Sequence, residues 1–91
     1  MSAQGTSTID FGATPVDNKT FAIVDANVSG LTYAEAWVMR DSTSDNSVDE
    51  HESLAAYSRT ACSISGSTLT IYVEMVLGFV TGQFKLRYVA N

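Results

Sequence analysis

The sequence has one cysteine (Cys62), one histidine (His51), one proline (Pro15) and only two lysines, Lys19 and Lys85. A lone cysteine cannot close an internal disulfide, so a disulfide-stapled scaffold is excluded. One cysteine and one histidine cannot build a structural zinc site within a single chain. Five Lys and Arg stand against ten Asp and Glu, a net charge of −5. That balance argues against a phosphate-binding surface, and no nucleic-acid partner is expected. Long hydrophobic runs are also missing. The longest apolar-rich stretch, Leu69 to Val80, is interrupted by Thr70, Glu74 and Gly78. It is too short and too polar to span a bilayer, so no membrane partner is expected. The N-terminus, MSAQGTSTID, has neither a basic start nor an apolar stretch, and no secretory leader is expected.

What is present favours strands. Ser and Thr together number 21, with 9 Val, 4 Ile and 9 aromatics, while charged residues make up only 16 %. Hydroxyl side chains cover surface that charge usually covers, and β-branched and aromatic residues suit a pleated, half-buried sheet. Ninety-one residues make one domain. A chain of that size buries roughly two-thirds of its unfolded surface, so association with further copies would add to its stability.

Residues 1–7 are small and polar and read as a flexible arm, or one ordered by a partner; residues 8–91 read as a single β domain. Thr8 to Phe11 alternates polar and apolar before Gly12 and predicts a short first strand. Lys19 to Ala26 predicts a second, with Phe21 and Ile23 on one face. Thr32 to Arg40 could be helical on propensity. Its short length and strand-rich surroundings favour a strand with Ala34, Ala36 and Val38 on one face and Glu35, Trp37 and Met39 on the other. Asp41 to Ser53 reads as a long polar loop, with at most one helical turn over Val48 to Glu52. Ala55 to Ser65 predicts a strand of small residues, turning at Ser65-Gly66-Ser67. Thr68 to Leu77 is the strongest strand, with Leu69, Ile71 and Val73 inward, and Gly78 to Gly82 turns the chain again. Gln83 to Ala90 alternates cleanly, with Phe84, Leu86 and Tyr88 inward. The expected fold class is all-β: an antiparallel sandwich or jelly-roll-like barrel of about seven strands.

Three features could carry chemistry. The polar loop holds five carboxylates and no cation, and its spacing matches a twelve-residue calcium loop: Asp41, Thr43, Asp45, Ser47, Asp49 and Glu52 at the ligand positions. Asn46 stands where that loop needs glycine, and the flanks read as strands rather than helices, so a solvated acidic loop is the expected state and no metal is assigned. His51 lies between Glu50 and Glu52 but no serine occupies a nucleophile-elbow context. Cys62, among small residues, reads as a buried apolar group. No catalytic residue and no cofactor are assigned. Terminal strands can lie at sheet edges and exposed aromatics often anchor interfaces, which makes Ile9, Phe11, Tyr72 and Tyr88 the interface candidates.

Several segments occur together in a recognisable order: STIDFG at Ser7 to Gly12, EAWV at Glu35 to Val38, VDEHE at Val48 to Glu52, LTIY at Leu69 to Tyr72, and an aromatic strand closing on Asn91. In this the chain resembles a family of short proteins encoded by tailed bacteriophages and prophages. The resemblance runs from Ser7 to Asn91. Where that family closes on Trp-Asn, this chain has Tyr88, Val89, Ala90 and Asn91. The resemblance implies a non-enzymatic virion component: a capsid decoration (cement) protein on the major capsid protein, homo-oligomeric with a trimer favoured, or a head- or tail-fibre receptor-binding module. It also implies location in the virion after synthesis in the bacterial host cytoplasm. A second class of function, a small acidic phage inhibitor of a host defence protein, would rest on the five carboxylates between Asp41 and Glu52.

Overall fold

The computed structural model describes residues 2–91. Six strands form two three-stranded antiparallel sheets packed face to face, one fewer strand than the seven expected. In chain order they are β1 (Ala3–Asp10), β2 (Asn18–Val24), β3 (Ala34–Val38), β4 (Ser58–Ser65), β5 (Thr68–Met75) and β6 (Gln83–Ala90). A 3-10 turn, Ala26–Val28, follows β2, and one helix, α1 (Val48–Tyr57), joins β3 to β4. One sheet runs β1-β6-β3 and the other β2-β5-β4, so the architecture is a sandwich of two separate sheets.

The two central strands, β5 and β6, have the cleanest period-two patterns, and the core lies between them. Leu69, Ile71 and Val73 of β5 face Phe84, Leu86, Tyr88 and Ala90 of β6 across the sandwich, all buried. Phe11 fills the end of the core, packing edge-on against Phe21 and Phe84 with ring centroids 5.2 and 5.8 Å away. The β4–β5 hairpin turns through Gly66-Ser67, and Gly66 takes the positive φ (+59°) that so tight a reversal demands.

Two expectations are corrected. Residues 3–7 are not a free arm: they form the first half of β1, paired residue for residue with β6 from Ala3 opposite Ala90 to Ser7 opposite Leu86. Hydroxyl-rich strands carry little periodic signal, because Thr and Ser serve on either face. Met1, at the start of the expected arm, lies outside the described residues. Between Val48 and Tyr57 the chain is a ten-residue helix where a loop and the start of a strand were expected. Its start is a capping box: the Ser47 hydroxyl accepts from the Glu50 amide at 3.2 Å while Glu50 accepts from the Ser47 amide at 2.8 Å. Only His51 and Leu54 are buried on it, so its apolar stripe is one residue wide.

Tyr88 ties the two sheets together. It stands opposite Gly5 of β1, and its ring lies over that bare position, where an added Cβ would come within 2.5 Å of the tyrosine oxygen. Its hydroxyl donates to Asp25 at 2.7 Å, reaching the residue that caps the 3-10 turn after β2. The bond from Tyr88, then that from the Asn27 amide, holds the Asp25 carboxyl below its ordinary range. Burial, with the Asp25 bond second, pushes the Tyr88 hydroxyl up to about 12 from 10.0. A raised tyrosine value favours the neutral phenol in the folded state. Its contribution is therefore fully present below pH 10.0 and is lost as pH rises toward about 12. The thermal midpoint of the wild type is expected to fall more steeply over that window than that of Tyr88→Phe; parallel midpoint curves would contradict this link.

Candidate functional site

β6 is eight residues long but its neighbour β3 has only five, standing opposite Leu86–Ala90, so the pairing passes to other groups beyond both ends of β3 and Gln83 to Lys85 need partners from outside that strand. At one end the Thr32 and Tyr33 amides donate to the Asn91 carbonyl and the Asn91 amide to the Tyr33 carbonyl, at 2.8–3.0 Å. At the other end Met39 donates its amide to the Lys85 carbonyl at 2.9 Å, and from there side chains replace the strand. His51 Nε2 accepts from the Lys85 amide at 3.0 Å. Asp45 accepts from the Gln83 amide at 3.0 Å. The Thr43 hydroxyl and the Asn46 amide nitrogen donate to the Gln83 carbonyl at 2.8 and 2.9 Å, and Asn46 also donates to the Thr81 carbonyl at 3.1 Å. Residues 43–51 therefore act as a strand made of side chains.

This arrangement fixes the state of His51. Its Nδ1 lies 2.9 Å from the Ser47 carbonyl and carries the proton, while Nε2 accepts from Lys85. The ring is fully buried, tilted on Phe84 at 4.8 Å. With both nitrogens occupied by backbone groups, His51 has no free nitrogen to act as a base. Cys62 lies half-buried on β4, and burial, with the Glu35 charge second, pushes its thiol up, away from the thiolate a nucleophile requires.

The calcium-loop spacing is not realised. Thr43 and Asp45 are turned onto Gln83, Ser47 caps α1, and Asp49 and Glu52 lie on the helix itself. Asp41 is held below the usual carboxylate range by the Ser42 amide and then by Lys85, whose ammonium is 3.5 Å away. Among the described residues no three His, Cys, Asp or Glu side chains are grouped to hold a metal ion. The acidic segment is also less available than its composition suggests. Asp41 meets Lys85, Asp45 the Gln83 amide, Glu50 the Ser47 amide, and Glu52 lies 2.6 Å from Arg40, which leaves Asp49.

Of the four interface candidates, Ile9, Phe11 and Tyr88 are core residues, 2–5 % exposed, and are corrected to a structural role. β1 is an edge strand, but its alternate side chains point into the sandwich. Tyr72 is exposed on the outer face of the β2-β5-β4 sheet. The more pronounced apolar surface is one the sequence reading passed over. Val76, Leu77 and Phe79, in the β5–β6 connection, are 62, 67 and 72 % exposed, and Tyr57 at the end of α1 is exposed beside them. Between α1 and this connection runs a groove of about 300 Å³ with a mixed lining, apolar from Leu54, Tyr57, Leu77 and Phe79 and polar from Glu50 and Ser53 among others. The connection is anchored rather than loose: the Val76 amide donates to the Tyr57 carbonyl at 2.7 Å, and Val80 and Val16 exchange two backbone bonds at 2.9 and 3.1 Å. The available sequence signal was an apolar run, Val76-Leu77-Gly78-Phe79-Val80, inside a segment read as strand end and turn. Turns usually carry polar residues, so such a run marks surface kept for contact.

Comparison with known protein families, with curated proteins and with solved structures finds no match to this chain.

Replacing His51 by Ala leaves the Lys85 amide without an acceptor and opens a void against Phe84. A loss of about 2–4 kcal/mol in unfolding free energy is expected from denaturant titration. A loss below about 0.5 kcal/mol would show that α1 is not held through this ring.

Proposed function

We propose that this chain is a non-enzymatic structural protein of a tailed-phage virion, a capsid decoration protein that docks on the major capsid protein. The observation that carries the reading is the cluster of exposed apolar residues formed by Tyr57, Val76, Leu77 and Phe79 at one anchored end of the body. A folded monomer gains nothing by leaving Phe79 and Leu77 in water, whereas a protein that works by binding a larger surface does. The order of short sequence segments from Ser7 to Asn91 supports the same class of role. So does the occupation of His51 by backbone groups and the raised thiol of Cys62, which leave the two most reactive side chains without catalytic work. Repetition over many equivalent sites would let a modest single contact saturate by mass action.

A fibre receptor-binding module is the second reading. It is favoured by the exposed Trp37 and Tyr33 on and beside the outer face of the β1-β6-β3 sheet, next to Arg87. The acidic-inhibitor reading draws little support, because four of the five carboxylates in its segment already have partners within the molecule.

Purified phage particles are expected to contain the chain in many copies by mass spectrometry, and particles without it would defeat the proposal. In a shell-binding assay Phe79→Ser and Leu77→Ser are each expected to weaken binding by about tenfold or more with the fold intact by circular dichroism. Unchanged binding in both would remove the apolar end from the account.

A further inference from the structure

The four outer edges of the sandwich are not equally protected. The edges of β3 and β4 meet at one corner, where the Thr60 hydroxyl donates to the Ala36 carbonyl at 2.6 Å. β2 carries Lys19, a charge of the kind that guards exposed edges. β1 has no such device. From Ala3 to Ile9 it holds no charge and no proline, and Asp10 is only its last residue. The direction of its backbone groups follows from the ladder. The Phe11 amide donates toward β6, to the Gly82 carbonyl at 2.9 Å. By alternation Ile9, Ser7, Gly5 and Ala3 also face β6, and Gln4, Thr6 and Thr8 face away. Among the described residues, the amides and carbonyls of those three have no partner. A long edge without charge from Ala3 to Ile9 is a template for adding a strand.

We infer that β1 pairs with β1 of a second copy of this chain, antiparallel about a two-fold axis at Thr6. In that register Thr6 lies opposite Thr6 of the second copy, and Gln4 lies opposite Thr8 in both directions. Each of these three pairs exchanges two backbone bonds. The side chains brought together are Thr with Thr and Gln with Thr, uncharged groups that hydrogen-bond across strands; the Gln4 oxygen already accepts from Arg87, which leaves its amide nitrogen to donate. Asp10 falls opposite Ser2, so no like charges meet. Centring the axis on Thr8 would set Gln4 against Gly12, beyond the strand, and centring it on Gln4 would use only residues 2–6. Axes at Gly5 or Ser7 would set Thr8 against Ser2 or Gln4 against Asp10, so the Thr6 register is the one that pairs Gln4, Thr6 and Thr8 only with one another. It joins two three-stranded sheets into one of six strands in the order β3-β6-β1-β1-β6-β3, and the interface closes on itself. This is a two-fold pair, unlike the trimer expected from the sequence resemblance, and it does not depend on the virion reading.

The test is sedimentation of the full chain from micromolar to millimolar concentration, with amide hydrogen exchange followed in parallel. The 9.8 kDa monomer is expected to give way to a species of twice that mass, with the Gln4, Thr6 and Thr8 amides gaining protection in step. Thr6→Lys sets two cations face to face at the axis from an exposed position. It is expected to weaken the dimer by about tenfold or more without changing the monomer's circular dichroism. Thr6→Pro removes an outward-facing donor but no bond to β6, and should act alike. Three results would overturn the inference: a monomer throughout the series, a dimer indifferent to Thr6→Lys, or a dimer abolished by Phe79→Ser instead.

Discussion

The fold depends on completing the hydrogen bonds of a central strand whose neighbour is too short. β6 lies between β1 and β3, buried on alternate residues along its whole length, so its backbone groups need partners at every step. β3 covers five residues and then leaves the sheet. Beyond that point Thr43, Asp45, Asn46 and His51 take over, meeting the Gln83 amide and carbonyl and the Lys85 amide with side-chain atoms. A buried amide left without an acceptor costs about 1–3 kcal/mol, a large share of the stability of a domain this size. The same side chains fix where α1 starts, because His51 reaches β6 from its second turn.

That constraint decides which parts of the molecule are free to act elsewhere. The histidine and Thr43, Asp45 and Asn46 of the loop with metal-like spacing are occupied in holding β6, and most of the other carboxylates of the acidic segment have partners elsewhere in the molecule. Two surfaces not used by the fold are the apolar end around Phe79 and the bare edge of β1. These lie in different elements and differ in chemistry, one apolar side chains and the other backbone polar groups. A small rigid body with two such surfaces is suited to assembly, with one contact to a larger partner and another to its own kind.

Much of this was legible in the residues. The period-two alternation of Leu69, Ile71 and Val73, and of Phe84, Leu86 and Tyr88, gave the two central strands and their inward faces correctly. Ala34, Ala36 and Val38 pointed inward as a strand in a segment whose propensity favoured helix, because tertiary pairing with β6 outweighs a few tenths of a kcal/mol per residue. The helix was missed for a physical reason. Its buried stripe is His51 and Leu54, and a histidine between two glutamates reads as polar surface until the Lys85 amide is placed beside it. The Ser47-x-x-Glu50 capping box was the available signal. Residues 3–7 escaped because Gly5, Thr6 and Ser7 have no apolar alternation; their place in the sheet is set by Gly5 making room for Tyr88. The four side chains that complete β6 come from 34 to 40 positions away in sequence, and no local pattern reveals a pairing at that distance.

The most direct test of this account is residue-resolved amide exchange at Gln83 and Lys85. If side chains complete the ladder, both amides exchange as slowly as those of Leu86 and Tyr88 in the same strand, and the Lys85 amide becomes fast in His51→Ala while the Leu86 amide stays protected. Rapid exchange at Gln83 and Lys85 in the wild type, at the rate of an open strand end, would contradict it.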